Sequence, residues 1–187
     1  MTVAALFVRA DSCYKQMLDV DCFDMVRDAR LWPGGCPVVA HPPCRAWGRL
    51  VHMANPRPDE KDLARWAVAQ AREWGGVLEH PNASKLWADQ YLPMPGNGKD
   101  EFGGWTLPIF QQWFGHRAEK STLLYIVGCD PCDLPPIPYI ASSKARQHRD
   151  HPQFRPEVSK AEREHTPPEL AAWLVELARR CKVLETA

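Results

Sequence analysis

The sequence lacks an excess of charge of either sign, because its 23 lysines and arginines are matched by 23 aspartates and glutamates. This balance argues against binding of nucleic acid through bulk positive charge, although it allows a local basic groove. The sequence also lacks an apolar run long enough to span a bilayer. It does not open with a charged leader followed by a long apolar stretch, so we expect neither a membrane protein nor export by a signal peptide.

A regular framework of paired cysteines is missing as well. The 7 cysteines are odd in number and scattered, which favours free thiols and a location in the reducing cytoplasm. In contrast, the 18 prolines and 8 tryptophans are abundant. So many prolines predict ordered loops and few long helices. The length predicts a single domain over residues 1–187, with a loop-rich segment at 128–165.

A strand–helix–strand unit is the clearest structural pattern. Residues 37–40 form a short apolar run bounded by glycines and prolines, which is typical of a central parallel strand. Asp59 can cap a helix over residues 60–74, whose apolar positions follow helical spacing. Gly75 and Gly76 end this helix, and residues 77–79 follow as a second buried strand. The unit predicts a parallel sheet with a right-handed crossover.

Weaker patterns complete the predicted fold. Residues 3–8 and 123–127 indicate buried strands, and residues 20–24 a strand or a turn. Residues 91–104 are rich in proline, glycine and asparagine and predict a long loop. Residues 166–169 match a capping box that starts a final helix. Together these elements predict an α/β fold, a Rossmann-like three-layer sandwich with a mostly parallel sheet.

The strongest candidate for chemistry is Cys44, which follows the strand at residues 37–40. Open parallel sheets bind ligands beyond the carboxyl ends of their strands. Two prolines fix the loop before Cys44, and the neighbouring Arg45 is expected to lower the pKa of the thiol and make it a nucleophile. The alternative is a buried structural cysteine after a proline turn.

Two further segments carry candidate polar groups. Glu79 and His80 end the second buried strand, so Glu79 is expected at the same sheet edge as Cys44. The alternative for Glu79 is a surface carboxylate that caps a turn. Residues 111–122 place His116, Arg117 and Lys120 beside a glycine, a cluster suited to a phosphate or a polar ring. The alternative for this cluster is a solvated hairpin.

The sequence resembles the catalytic domain of the cytosine-5 DNA methyltransferases, especially the short phage-type members of that family. The resemblance lies, in chain order, in the loop ending in Cys44, the stretch around Glu79 and the segment 111–120. The resemblance implies a methyltransferase-like fold in which Cys44 attacks C6 of a pyrimidine and Glu79 acts as the acid at N3. It implies DNA or a pyrimidine nucleotide as the binding partner and S-adenosylmethionine as the cofactor. The residues it would place around the substrate are His41, Arg45, Trp47, His80, His116, Arg117 and Lys120. The acids at the matching place for the cofactor ribose are Asp24 and Asp28, with Asp21 as a third choice, and the base could stack on Trp47, Trp87 or Trp113.

The sequence departs from this family at the cofactor loop. Residues 6–12 contain no glycine, whereas the family places a glycine-rich turn there, and Arg9 and Asp11 would occupy the space of the cofactor. Arg45 and His80 also stand where glutamine and asparagine are usual. One alternative is therefore a catalytically inactive protein of this fold that binds DNA or a protein partner. Another is a thiol hydrolase that pairs Cys44 with a histidine among His41, His80 and His116.

A zinc site is a separate hypothesis. Cys129 and Cys132 form a Cys-x-x-Cys pair, and His148 and His151 form a His-x-x-His pair further along the loop-rich segment. The order is finger-like, although the histidine spacing is one residue shorter than usual.

Overall fold

A six-stranded mixed sheet forms the centre of the computed structural model, which describes residues 1–49, 51–140 and 158–182. The strands are β1 (Val3–Leu6), β2 (Val20–Phe23), β3 (Val38–Ala40), β4 (Gly76–Pro81), β5 (Trp105–Phe110) and β6 (Ser121–Val127). The α-helices are α1 (Val51–Ala54), α2 (Glu60–Trp74), α3 (Leu86–Asp89), α4 (Lys160–Glu164) and α5 (Pro168–Arg180). The sheet order is β2-β1-β3-β4-β6-β5. Strands β1 to β4 are parallel, and β6 is antiparallel to both of its neighbours.

Each face of the sheet is covered by one long helix. On one face, α2 places Ala64, Ala67 and Val68 in the same apolar cluster as residues of β1, β3 and β4. On the other face, Leu170 and Leu174 of α5 share a cluster with the alternate residues of those strands. This arrangement confirms an α/β fold with a mostly parallel open sheet, compatible with a Rossmann-like architecture.

The strand register brings three carboxyl ends to one level. Ala40 of β3 pairs with Leu6 of β1 on one side and with Leu78 of β4 on the other. The residues that follow, Phe7, His41 and Glu79, therefore lie side by side, and β4 itself continues to Pro81. The predicted strand–helix–strand unit is confirmed, since α2 has the expected bounds and β3 and β4 are parallel neighbours.

Gly76 allows the close pairing of β3 and β4. Its φ angle is +119°, and a Cβ atom at this position would lie 2.1 Å from the Val38 carbonyl oxygen. Only glycine fits this backbone conformation and this contact. The glycine pair that ends α2 therefore also determines how β4 starts.

The hairpin of β5 and β6 differs from the expectation. No strand was predicted at residues 105–110, where Pro108 interrupts the apolar pattern, and the strand at 123–127 was expected in a mostly parallel sheet. In the structure Pro108 lies in β5, the last strand of the sheet order, and pairs with Leu123 of β6. An edge strand tolerates a proline, which has no N–H to donate. Because of this hairpin, β6 runs antiparallel to β4.

The predicted helix caps are only partly present. The expected capping box at residues 166–169 is wrong, because α5 begins at Pro168 and its N-cap, Pro167, has no side-chain donor or acceptor. Asp59 is the N-cap residue of α2, but its side chain makes no capping hydrogen bond. Stability of both helices therefore rests mainly on their buried faces.

Candidate active site

A cleft of about 480 Å³ opens at the carboxyl ends of β1, β3 and β4. Its wall is completed by residues 163–166, which lie at the end of α4 and just before α5. Five of the residues predicted from the sequence line it, namely His41, Cys44, Arg45, Glu79 and Lys120. The topological rule for open parallel sheets thus places the candidate nucleophile and carboxylate in one cavity.

A chain of hydrogen bonds runs along the floor of the cleft. Because Ala40 pairs with Leu78, His41 and Glu79 emerge side by side, and His41 Nδ1 lies 3.1 Å from Glu79 Oε2. The carboxylate can only accept, so Nδ1 carries a proton, and Nε2 of the same ring lies 2.9 Å from the Tyr14 hydroxyl oxygen. On the other side, Gln111 Nε2 donates to Glu79 Oε1 at 3.1 Å. Sequence reasoning did not single out Tyr14, and it named Gln111 only as the first residue of the segment 111–122.

Glu79 is ionised in this setting. Burial disfavours its charge, but the hydrogen bond from His41 and the charges of His41 and Lys120 outweigh burial and lower the pKa of Glu79 to about 2. The carboxylate is thus a proton acceptor near neutral pH. The role of acid predicted for Glu79 requires that it first gains a proton.

Cys44 presents an exposed thiol in the cleft, but its environment corrects one expectation. The surrounding cleft walls, and then the Glu79 carboxylate, raise the pKa of Cys44, whereas Lys120 lowers it by a smaller amount. The predicted lowering by Arg45 is wrong because the Arg45 guanidinium turns to Glu60. In the unliganded cleft Cys44 is therefore a thiol that needs a base.

Glu60 joins two cationic side chains at the mouth of the cleft. Arg45 Nε donates to both oxygens of Glu60, at 2.7 and 2.8 Å. Arg57 Nε lies 3.3 Å from Glu60 Oε1. All three residues line the cleft, and the Glu60 side chain is fully buried. Sequence reasoning did not single out Arg57 or Glu60.

Two predicted substrate ligands lie away from the cleft. His116 is buried, where its Nδ1 accepts from the Ala118 N–H at 3.0 Å and its Nε2 donates to the Glu162 carbonyl at 3.3 Å. Arg117 forms a bidentate ion pair with the Glu162 carboxylate. The hairpin folds this segment onto α4, so of the predicted basic cluster only Lys120 faces the cleft.

His80 is directed away from Glu79, as the alternation of a strand requires. It is fully buried, and neither of its ring nitrogens has a hydrogen-bond partner among the residues that the structure describes. Burial lowers the pKa of His80 to about 4, so the ring is neutral near pH 7. His80 does not line the cleft, so its predicted contact with substrate has no support from the geometry of the cleft.

The candidate stacking tryptophans are packing residues. Trp47 is buried in the α2-side cluster, with the charged ends of Lys61 and Arg65 within 6 Å of its ring. Trp87 is buried and donates from Nε1 to the Pro81 carbonyl at 2.9 Å. Trp113 packs against aromatic neighbours of the hairpin. None of the three lines the cleft, so the predicted substrate role of Trp47 has no support from the geometry of the cleft.

The candidate cofactor acids have other partners. Asp24 follows β2, pairs with Lys15 and accepts the backbone N–H groups of Val26 and Arg27. Asp28 pairs with Arg30. Neither acid lines the cleft. Both carboxylates are thus used to hold the turn after β2.

The loop after β1 is filled with side chains. Phe7 adopts a φ of 60°, a conformation that favours glycine, and its ring packs edge-on against Trp66. Arg9 forms ion pairs with Asp11 and with Glu164, at 2.9 and 3.1 Å. The space at this end of the cleft is thereby crossed by an ion-pair network rather than bordered by bare backbone.

The zinc hypothesis gains no support from the part of the chain that the structure describes. Cys129 is buried and Cys132 is exposed, while His148 and His151 lie outside the described residues. No group of potential metal ligands occurs within residues 1–49, 51–140 and 158–182. All seven cysteines are free thiols, as expected from their odd number.

No protein-family model matches the chain, and a search of curated proteins finds no match either. Among the described helices, none combines the length and the apolar character needed to cross a membrane.

Proposed function

We propose that the protein is a pyrimidine-modifying enzyme of the cytosine-5 DNA methyltransferase-like superfamily, which acts on cytosine through a covalent adduct with Cys44. The observation that supports this proposal is the meeting of Cys44 and Glu79 in one cleft, at the ends of the neighbouring parallel strands β3 and β4. The cleft volume lies within the range of small-molecule sites. A base in duplex DNA would have to flip out of the helix to enter it.

Adduct formation balances without any further reactant. The sulfur of Cys44 forms a bond to C6, the π electrons of the C5=C6 bond form a C4=C5 double bond, and the π electrons of the C4=N3 bond move to N3, which gains a proton. The thiol proton passes to the ionised Glu79, and Glu79 delivers it to N3, so Glu79 acts first as base and then as acid. His41 and Gln111 hold the two carboxylate oxygens in place for this transfer. The adduct makes C5 nucleophilic.

The described residues do not fit S-adenosylmethionine, the cofactor of this superfamily. The cofactor needs a close backbone approach after β1, where Phe7 and the Arg9–Asp11–Glu164 ion pairs stand instead. Asp24 and Asp28 are held by basic neighbours. The proposed reaction therefore extends only to the adduct and to exchange of the hydrogen at C5.

We expect S-adenosylmethionine to bind the isolated protein weakly, in the millimolar range or not at all. Loss of one charge-assisted hydrogen bond costs about 1.5–3 kcal/mol, which is about one to two decades in affinity. Calorimetric titration measures this directly. Binding in the micromolar range would contradict the assignment of the first loop and would return methyl transfer to the mechanism.

The adduct itself is tested by release of tritium from DNA that carries [5-³H]cytosine. We expect the wild type to release tritium without added cofactor, and Cys44→Ala to release none above background. Cys132→Ala removes another exposed thiol and should keep the wild-type rate. An oligonucleotide with 5-fluorocytosine should also form an adduct with the wild type and with Cys132→Ala only.

The second candidate is an inactive protein of the same fold that binds DNA or a protein partner. The occupied loop after β1 favours it. If the folded wild type releases no tritium and forms no adduct, this candidate is the better account.

A further inference from the structure

Glu60 is a fully buried carboxylate that borders the cleft. A buried charge persists only when it is paired, and here two arginines share one carboxylate. Burial opposes the ionisation of Glu60, but hydrogen bonding and the charge of Arg45, followed by the charge of Arg57, lower its pKa below the ordinary value. Arg57 also lies 3.9 Å from Asp59 Oδ1, so it is shared between two carboxylates, whereas Arg45 pairs with Glu60.

The shared carboxylate orients both guanidinium groups. Arg45 directs Nε and Nη2 towards Glu60, which leaves its Nη1 without a hydrogen-bond partner within the described segments. Arg57 directs Nε towards Glu60, and its Nη1 lies 3.2 Å from the Met25 sulfur. The Arg57 Nη2 has no hydrogen-bond partner in the described part of the chain. Both arginines are exposed, and both line the cleft that holds Cys44.

The charge of the cleft indicates the class of ligand. Its lining contains more cations than carboxylates: Arg9, Arg45, Arg57, Lys120 and Arg163 against Glu60, Glu79 and Glu164. Guanidinium groups that are held in a fixed orientation bind phosphate oxygens through paired hydrogen bonds and lose little freedom on binding. Arg45, Arg57 and Cys44 line the same cleft, so a phosphate held by the arginines and a base at the thiol would share one cavity.

We propose that Arg45 and Arg57, oriented by Glu60, form a phosphate clamp that binds the phosphate of the pyrimidine substrate. The identity of the base rests on the proposed function, whereas the phosphate site rests on the two arginines alone. The phosphate could be the monoester of a nucleotide or a diester of the nucleic acid backbone. Glu60 is a positioning residue in this proposal, since it acts through the arginines.

The clamp is tested by comparing calorimetric affinities for deoxycytidine, deoxycytidine monophosphate and the trinucleotide d(TpCpT). The wild type should bind one of the phosphate-bearing probes at least about tenfold more tightly than deoxycytidine, and the tighter of the two identifies a monoester or diester site. The phosphate-to-nucleoside ratio is the affinity for the tighter phosphate-bearing probe divided by the affinity for deoxycytidine. Arg45→Gln and Arg57→Gln should each reduce this ratio by about tenfold or more. Arg180→Gln is the matched control, because Arg180 is also paired with a glutamate but lies on α5 away from the cleft.

Glu60→Gln distinguishes a clamp from simple attraction by net charge. The substitution makes the cleft more positive, so charge alone predicts tighter binding of phosphate. The clamp predicts the opposite, a reduction of the phosphate-to-nucleoside ratio by about tenfold, because the arginines lose their orientation. Glu60→Asp should restore part of the ratio, and circular dichroism should confirm that each variant is folded.

An unchanged ratio in Arg57→Gln, or a higher ratio in Glu60→Gln, would overturn the clamp. Failure of the clamp and failure of the proposed chemistry give different results. Tritium release together with an unchanged ratio keeps the chemistry and removes the clamp. A reduced ratio without tritium release keeps the phosphate site and removes the chemistry. If none of the three probes binds the wild type, the clamp is wrong.

Discussion

Replacing Gly76 by alanine is expected to lower the free energy of unfolding by about 3–5 kcal/mol. The new Cβ atom would lie 2.1 Å from the Val38 oxygen and 2.5 Å from the Val38 nitrogen, and the φ of +119° is itself unfavourable for alanine. Because Gly76 pairs with Val38, the clash can be relieved only by separating β3 from β4. Urea denaturation of both proteins measures the difference.

Gly98→Ala is the matched control for backbone strain. Gly98 also has a positive φ, of 80°, but nothing lies within 4 Å of its potential Cβ atom. The left-handed backbone alone should cost this variant about 1–2 kcal/mol. Equal losses in the two variants would show that the contact between β3 and β4 is looser than described. Since Cys44 and Glu79 follow these strands, Gly76→Ala should also abolish tritium release.

Lowering the pH from 6 to 2 should destabilise the wild type by about 3 kcal/mol more than Glu79→Gln. The pKa of Glu79 is about 2 in the folded protein and 4.5 in its ordinary state, so the unfolded chain takes up the proton first. The stability that the ionised Glu79 contributes is complete above about pH 5 and is lost as the pH falls towards 2. Each unit of pKa corresponds to about 1.4 kcal/mol.

Urea denaturation at several pH values measures this effect. The stability curves of the wild type and Glu79→Gln should differ near neutral pH and converge at pH 2. Glu73→Gln, on the exposed side of α2, should give a curve parallel to that of the wild type over the same range. Parallel curves for Glu79→Gln would show that the carboxylate is not held by His41 and Gln111 as described. The buried His80 adds its own loss of stability between about pH 6.5 and 4, which is common to the wild type and Glu73→Gln.

The elements that were predicted correctly carry their signal within a short stretch of sequence. Helix α2 shows apolar residues at helical spacing and ends at two glycines, and β3 is an uninterrupted apolar run. Strand β5 was missed because Pro108 hides an edge strand. The direction of β6 could not be predicted either, since a buried strand has the same pattern whether it runs parallel or antiparallel.

The same distinction applies to the candidate site. Cys44, His41 and Glu79 could be found from sequence because each lies at the end of a predicted parallel strand or in the loop that follows it. Glu60 resembles any acid in the first turn of a helix, and Tyr14 and Gln111 show no pattern that connects them to Glu79. His116 and Arg117 were misplaced because the connection between β5 and β6, residues 111–120, directs them to α4.

Helix α5 covers the face of the sheet that β1, β3 and β4 share, yet it begins 41 residues after β6 ends. During synthesis all six strands therefore leave the ribosome before α5, the helix that covers this face, has been made. Until then Val39, Val77 and Ile126 present an open apolar surface, the kind of surface that chaperones recognise in nascent chains. Chains interrupted between residues 128 and 167 should consequently aggregate or be degraded rather than accumulate as a folded sheet.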